Sequence, residues 1–301
     1  MDNGKTRQTA NNKKGLYTVL GQLPVGMARE IAGILNGASV TVFEIRLRAF
    51  GVSTVVTDLG NLPLCYRVTG RDIEKTVERL CRGSVYAYLD CIASGYLPLA
   101  HGVRVGIIGE AGYSEEKMVG ISGASALSFR IPTAIPDLGG ELYRAWQSCP
   151  NENLLLVAPP SGGKTTALRA LARQIGSGRD AKRVVVVDER CEFDPEDYAN
   201  SSVDILRGYK RGAGTEIAVR TMSPEVLLVD EIASEADASA LCAAFGVGIP
   251  IVATAHGTCR EALMMREPLR RLLCDGCFTR LCRIERTGAE FKITPPEAIA
   301  V

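Results

Sequence analysis

The sequence predicts an α/β protein in which a smaller N-terminal α+β domain precedes a larger domain built on a parallel sheet. The larger domain is predicted by short, continuously apolar segments such as 154–157, 184–187 and 226–229, which are typical of strands buried on both faces. Helical patterns separate these segments, as in βαβ units. In the first half, alternating segments such as 42–48 indicate half-buried strands grouped with two helices, which favours an α+β domain.

The composition is typical of a soluble protein of about two domains. The chain has 301 residues, of which 46% are hydrophobic and 23% charged, and its net charge is +1. A charge so near zero creates no overall field for nucleic acid, so we expect no nucleic-acid partner. Ten cysteines without a framework spacing and without a secretory signal pattern favour the cytoplasm. The longest mostly apolar run, 240–255, is too short to span a bilayer, so a membrane role would require a partner protein.

A phosphate-binding loop is the strongest signal in the chain. Residues 158–166 read A-P-P-S-G-G-K-T-T and lie between an apolar strand and a helical pattern that stops at Gly176. A glycine-bearing turn lets consecutive backbone N–H groups point at a polyphosphate, and the helix N-terminus adds partial positive charge. Ala158 stands where the full motif has glycine. The predicted ligands of a polyphosphate with Mg²⁺ are Pro160, Ser161, Gly162, Gly163, Lys164, Thr165 and Thr166, the Thr165 hydroxyl also ligating the metal.

A second signal is the apolar segment 226–229, which ends in Asp230 and Glu231. An acidic strand of this kind accompanies a phosphate loop when another α/β unit lies between the two. We expect Asp230 to hold the Mg²⁺, directly or through water. Glu231 is expected to orient and deprotonate the attacking water.

Polar residues also follow two other buried segments. Asp188 and Glu189 come directly after 184–187, and Thr254 and His256 end the segment that starts at Ile249. Carboxyl ends of parallel strands meet at one edge of the sheet, where ligands bind. His256 is therefore expected to sense or hydrogen-bond a γ-phosphate. The basic loop 206–214 is either a solvated surface loop or a contact to phosphate or to the next subunit.

The first half contains no catalytic constellation, but it contains two arginines in strand-like segments. These are Arg104, between Gly102 and Gly106, and Arg130, in S-F-R-I. Either they face solvent, or they contact an anion such as a nucleotide held by a neighbouring subunit. The predicted organisation is a flexible tail over 1–15, the α+β domain over 16–135, a linker and helix over 136–150, and the larger domain over 151–301.

The second half resembles the secretion and type IV pilus motor ATPases. Residues 187–193 read V-D-E-R-C-E-F, similar to that family's acidic box V-E-D-P-x-E-F, with Arg190 replacing proline. Residues 220–231 are similar to its L-R-x-D-P-D-x-I-L-x-G-E stretch, and Gly248 with 254–256 to its histidine box. Through this match, Arg220 joins Glu231, Glu189 and His256 as a candidate catalytic residue.

From about Leu16 to Ile293 the chain is closer still to the stage III sporulation protein AA family. The first half bears much of that resemblance, in the segments F-E-I-R-L-R (43–48), S-V-Y-A (84–87), G-Y (95–96), H-G-V-R-V-G (101–106) and S-F-R-I (128–131). The resemblance implies a RecA-like P-loop ATPase core that hydrolyses ATP with Mg²⁺ in the mother-cell cytoplasm. It also implies a homo-oligomeric ring, a hexamer, docked on an integral-membrane component of a channel complex leading to the forespore. Arg104 and Arg130 would then reach the nucleotide from the N-terminal domain.

Two other functions fit the same motifs. A RecA-like translocase on nucleic acid would share the phosphate loop and the acidic strand, although the near-neutral charge and sparse aromatic residues argue against it. A nucleotide-binding scaffold with little turnover is favoured slightly by Ala158. The sequence leaves both open beside the motor.

Overall fold

A computed structural model describes residues 3–36, 40–84, 88–93, 95–114, 117–132, 138–160, 162–287 and 290–299. The chain forms two compact units, Met1–Ala134 (unit 1) and Ile135–Val301 (unit 2). The division lies one residue before the predicted end of the N-terminal domain. Among the described residues, no helix has both the length and the apolar character needed to cross a membrane.

Unit 1 is an antiparallel six-stranded sheet with helices packed on one face. Its strand order is β3-β2-β1-β6-β5-β4. The core between sheet and helices includes Ile45, Leu47, Ile73 and Phe129, all fully buried. Its elements are α1 (Asn3–Leu20), α2 (Val25–Leu35), β1 (Val42–Arg48), β2 (Thr54–Thr57), β3 (Gly60–Pro63), α3 (Gly70–Leu80), α4 (Leu89–Ala93), β4 (Tyr96–Pro98), β5 (Arg104–Ser114) and β6 (Lys117–Arg130).

Residues 69–72 read T-G-R-D, a pattern that predicts a capping box, and helix α3 begins there. The Thr69 hydroxyl accepts the Asp72 N–H at 3.2 Å, and the Asp72 carboxylate accepts the Thr69 N–H at 2.9 Å, which closes a capping box. The sequence pattern also predicts a strand over 63–68 after a turn at 59–61, which is wrong in detail. The strand found there, β3, is Gly60–Pro63, because Gly60 (φ +116°) closes a tight hairpin.

The sequence also underestimates the helices of unit 1. Two helices are predicted, whereas α1 and α2 precede the first strand, and α1 covers most of the predicted tail 1–15. The Asn12 side chain donates to the backbone carbonyls of Val42 at 3.2 Å and Pro132 at 3.4 Å, so α1 is held against the ends of the sheet. The Asn- and Lys-rich segment lacks the apolar spacing that would have revealed it.

Unit 2 is a mostly parallel sheet between two layers of helices. Its strand order is β13-β12-β7-β11-β10-β8-β9, with β14 paired to β12. The four central strands are buried on both faces, and their two sides belong to two separate apolar cores. The elements are α5 (Leu138–Gln147), β7 (Leu154–Ala158), α6 (Lys164–Ile175), β8 (Val184–Asp188), β9 (Val203–Arg207), α7 (Arg211–Ile217), β10 (Val226–Val229), α8 (Glu235–Gly246), β11 (Ile251–His256), α9 (Arg260–Met264), α10 (Glu267–Cys274), β12 (Arg280–Thr287), β13 (Glu290–Ile293) and β14 (Glu297–Ala298).

The register of this sheet brings the predicted site residues to one edge. Ala158 at the end of β7 is opposite His256 at the end of β11, and Val187 of β8 is opposite Val229 of β10. In consequence, the phosphate loop, the two acidic strand ends and the histidine leave the sheet side by side. An edge where parallel strands end beside a change in strand order is where α/β proteins bind ligands.

Candidate functional site

The loop between β7 and α6 requires its glycines. A Cβ on Gly162 would lie 2.7 Å from the Ala158 Cβ and 2.8 Å from the Pro159 carbonyl oxygen. Gly163 has φ +85° and is the N-cap of α6. Pro160 is exposed, Thr166 is half-buried in the first turn of α6, and Ser161 lies outside the described residues. The loop therefore turns sharply and leaves the first N–H groups of α6 directed outward.

Lys164 is a buried lysine that points back across this loop. Its side chain is almost fully enclosed, with 6% of the residue exposed. The ammonium group donates to the carbonyls of Ala158 at 3.0 Å and Pro159 at 3.1 Å, and it lies 2.9 Å from His256 Nδ1. Burial lowers the pKa of Lys164, while the nearby Asp230 and Glu231 charges act in the opposite direction. A cation held away from water in this way favours an anionic ligand.

Asp230 is bound by two threonine hydroxyls. Its Oδ2 accepts from Thr165 Oγ1 at 2.8 Å, and its Oδ1 accepts from Thr254 Oγ1 at 2.7 Å. The hydroxyl and carboxylate oxygens of Thr165 and Asp230 are the hard donors that Mg²⁺ prefers. Within the described part of the chain, no cluster of three or more His, Cys, Asp or Glu could hold a metal by itself. The donor oxygens of Thr165 and Asp230 fit two positions in the ligand sphere of a magnesium ion.

Glu231 lies at the centre of a chain of polar contacts. Its φ is +62°, which is rare for a residue with a side chain, and its N–H donates to Thr254 Oγ1 at 2.8 Å. One carboxylate oxygen is 3.2 Å from His256 Nε2, and the other contacts the Arg190 guanidinium. Burial lowers the pKa of His256, and the charge of Lys164 lowers it further. A neutral His256 therefore accepts from Lys164 and donates to Glu231.

The turn after β8 is built around Asp188. This carboxylate is 1% exposed and accepts the backbone N–H groups of Glu192 at 2.9 Å and Phe193 at 2.8 Å. Burial raises the pKa of Asp188 to about 7, and the Asp230 charge adds to that effect. Asp188 is thus an organiser of the turn that presents Glu189 and Arg190 at the edge of the sheet.

Arg211 connects this turn to β10. It is 7% exposed, and its guanidinium lies 2.6 Å from Glu189 and 3.8 Å from Asp237. The same group donates to the Asp230 backbone carbonyl at 2.7 Å. The sequence signal was the basic loop 206–214, but nothing in its spacing distinguished Arg211 from the other basic residues there.

Comparisons with known proteins show the family to which the chain belongs. The family model described as "Sporulation stage III, protein AA" matches residues 24–294. The chain belongs to this family. It is 29% identical over 278 residues to stage III sporulation protein AA of Bacillus subtilis, an alignment that covers 88% of this chain and 89% of the relative.

Two solved structures are similar in fold to this member of the family. The ATPase DotB of Legionella pneumophila is similar with a TM-score of 0.62 at 17% identity, covering 90% of this chain and 79% of that chain. The pilus retraction motor PilT, solved with bound ADP, is similar with a TM-score of 0.61 at 14% identity, covering 89% and 83%. The predicted fold class, a RecA-like P-loop ATPase core with a smaller N-terminal α+β domain, is confirmed.

Arg220, another predicted site residue of this family member, lies away from this edge of the unit 2 sheet. Arg220 is exposed on the π-helical turn Ala218–Met222, before β10 begins, so it lies toward the opposite end of that strand from Asp230. Arg104 and Arg130 belong to unit 1, where they are opposite each other on β5 and β6. The Arg104 guanidinium lies 5.7 Å from the centre of the Tyr96 ring. The roles of these arginines stay predictions. The contact of Arg190 with Glu231 was missed altogether.

Proposed function

We propose that this protein is an ATP-hydrolysing motor that energises a channel or export complex between mother cell and forespore during endospore formation. The observation that carries the proposal is the contact chain from Lys164 through His256 to Glu231. It joins a phosphate-loop lysine to a carboxylate at the edge of a parallel sheet. The same edge holds the Thr165–Asp230 pair. Charge neutralisation, metal ligation and proton acceptance are thus available side by side.

Binding of the triphosphate would fall to the loop and to Lys164. Backbone N–H groups at the start of α6 face the phosphates, and the Lys164 ammonium exchanges loop carbonyls for phosphate oxygens. Thr165 and Asp230 would hold Mg²⁺, which when bound neutralises charge on the phosphate oxygens. Their 2.8 Å hydrogen bond already holds these oxygens together.

Glu231 would act as the base for hydrolysis. As the bond from the water oxygen to the γ-phosphorus forms and the bond to the bridging oxygen breaks, the water proton passes to the Glu231 carboxylate. ADP departs with the electron pair of the broken bond. His256 holds one oxygen of Glu231 and fixes its orientation. The left-handed backbone of Glu231 is a strained conformation of the kind often found at functional sites.

Motor action would require a ring. Sequence similarity to stage III sporulation protein AA and fold similarity to DotB and PilT support an oligomer that works with a membrane complex. We infer a homo-oligomer, a hexamer by resemblance, in the mother-cell cytoplasm and held at the membrane by a partner protein. Arg104 and Arg130 are the candidates for arginines that complete the nucleotide site of a neighbouring copy.

The catalytic assignment is tested by two substitutions and a control. Lys164→Ala should weaken nucleotide binding at least tenfold, because it removes the only full charge the loop supplies. Glu231→Gln should keep binding and lower turnover by about 10² or more. Arg179→Ala, an exposed arginine outside the site, should change neither. Calorimetric binding and phosphate release measure both quantities. Normal hydrolysis by Glu231→Gln would remove the role assigned to Glu231.

The motor assignment needs a separate measurement. Mass in solution, with and without a non-hydrolysable ATP analogue, should show a nucleotide-dependent ring. Turnover per chain should rise with protein concentration over the same range. A persistent monomer with slow, concentration-independent hydrolysis would instead favour a nucleotide-binding scaffold.

A further inference from the structure

Arg190 occupies an unexpected position in the site. It lies in the turn after β8, and its guanidinium reaches across to the Glu231 carboxylate at the end of β10. The Glu231 side chain is only 14% exposed, whereas that of Arg190 is 37% exposed. The contact is therefore sheltered at the carboxylate and open to solvent on the arginine side.

This contact conflicts with the role of Glu231 as a base. One oxygen of Glu231 is engaged by His256 at 3.2 Å and the other by Arg190. The guanidinium therefore occupies the lone pairs of the oxygen that would have to face the attacking water. For Glu231 to take a proton from water, Arg190 has to find another partner.

A γ-phosphate is such a partner, and the site is placed to offer it. Arg190 and Lys164 lie on either side of the same Glu231–His256 pair. A terminal phosphate carries more charge than a carboxylate and can accept two N–H groups of a guanidinium at once. An ATP molecule bound at Lys164 therefore competes with Glu231 for Arg190.

We propose that Arg190 senses the γ-phosphate within its own subunit. It holds Glu231 in the contact seen here, transfers its guanidinium to the γ-phosphate when ATP binds, and so frees Glu231 to accept the water proton. The inference rests on the proposed ATPase function. ADP has no γ-phosphate, so Arg190 would return to Glu231 once the cleaved phosphate has left. Arg190 would then contribute to the preference of the site for ATP over ADP.

The test measures the affinities of ADP and of a non-hydrolysable ATP analogue, both with Mg²⁺, by calorimetry. Arg190→Ala should lower the affinity for the analogue about tenfold, which is the value of one charge-assisted contact. It should change the affinity for ADP by less than about twofold. Arg190→Lys should restore part of the difference because it keeps the charge but loses the planar fork. Arg179→Ala, the matched exposed arginine, should leave both affinities unchanged.

A second comparison separates sensing from a structural role. Glu231→Gln removes the charge that competes for Arg190, so it should bind the analogue a few-fold more tightly than the wild type, with ADP unchanged. In the double variant Arg190→Ala/Glu231→Gln this gain in analogue affinity should vanish. Its disappearance would show that the two side chains are energetically coupled. If Arg190 only kept the turn in shape, its substitution would lower the affinities for both nucleotides equally.

The outcomes distinguish the two proposals. Equal losses of ADP and analogue affinity in Arg190→Ala, or no loss of either, would overturn the inference while leaving the ATPase intact. If the wild type binds neither nucleotide, or if Lys164→Ala binds both as well as the wild type, the proposed function itself fails and the role of Arg190 fails with it.

Discussion

The two sheets of this protein carry their charged residues in different ways. In unit 2 the charges are buried at the carboxyl edge of a parallel sheet, where Lys164, Asp230 and Arg211 are all less than 9% exposed. In unit 1 the arginines lie on an antiparallel sheet, where Arg46 and Arg130 are exposed. A buried charge needs a partner inside the chain, so its contacts reveal a site. An exposed charge has no such constraint, and its role depends on what the chain meets.

Of the substitutions that compare buried with exposed charges, Arg211→Met should lower the free energy of unfolding most. Arg211→Met keeps the apolar bulk but leaves Glu189 and Asp237 without their shared guanidinium, and removes the hydrogen bond to the Asp230 carbonyl. Breaking a buried ion pair from one side typically costs about 3 kcal/mol or more. We expect the free energy of unfolding, measured in urea, to fall by that amount. Arg179→Met is the exposed control, expected to change it by less than about 0.5 kcal/mol. A loss below about 1 kcal/mol for Arg211→Met would show that burial does not set the importance of this charge.

Asp188 should give unit 2 a pH dependence. Its pKa is raised by burial from 3.8 to about 7 in the folded protein, so the folded state binds a proton that the unfolded state has released. The stabilisation is therefore fully present below pH 3.8 and is lost as the pH rises through about 7. Between pH 5 and pH 8 the wild type should lose about 3 kcal/mol more than Asp188→Asn, which does not titrate.

The measurement is a pair of denaturant titrations at each pH, with Mg²⁺ absent from all samples. Asn keeps one carbonyl oxygen for the N–H groups of Glu192 and Phe193, so the turn retains part of its support. Parallel pH curves for the two proteins would mean that Asp188 stays ionised, held by those two N–H groups despite its burial.

Substitution of Thr254 should have a smaller effect on stability, because the Thr254 hydroxyl is neutral and only one of its two partners, the Asp230 carboxylate, is charged. The hydroxyl donates to Asp230 and accepts the Glu231 N–H, and the residue is fully buried. Thr254→Val keeps the shape and should lower the free energy of unfolding by about 1–2 kcal/mol, since it leaves two buried polar groups unsatisfied. Thr221→Val, which removes an exposed hydroxyl bonded to the Ile217 carbonyl, is the matched control. Equal effects of the two changes would contradict the contrast between buried and exposed groups.

The same contrast explains how much could be predicted from the sequence. Segments such as 184–187 and 226–229 are continuously apolar because both faces of their strands are buried, so the parallel sheet and the residues at its edge follow from local pattern. The register then brings Lys164, Asp230 and His256 together, as the motifs lead one to expect. Asp230 and His256 lie at strand ends and Lys164 begins the helix after the loop, so the backbone determines where each side chain starts. Periodicity in the sequence predicts that backbone.

The unpredicted features depend on turns and long side chains. The contact of Arg190 with Glu231 requires a turn in which Cys191 has φ +54° and a left-handed Glu231, neither of which any spacing in the sequence indicates. Arg211 lies in a loop of several basic residues, and only the packing of α7 against α8 selects it for burial. The capped helix α3 was predictable, whereas α1 has no apolar stripe and was not.

The smallest effect on stability is expected for Arg130 in unit 1. It is exposed and sits beside Glu44 on the neighbouring strand, so Arg130→Ala should change the free energy of unfolding by less than about 0.5 kcal/mol. Arg46→Ala, on the same strand as Glu44 and paired with it at 2.7 Å, is the matched control. If Arg130 serves the nucleotide of a neighbouring copy, its loss should lower ATP turnover at protein concentrations where a ring forms, and leave the dilute protein unchanged. Arg46→Ala should leave ATP turnover unchanged at all of these concentrations. A turnover defect that is the same at every protein concentration would mean that Arg130 acts within its own chain. A loss of more than about 1 kcal/mol in the free energy of unfolding would mean that Arg130 is a structural residue.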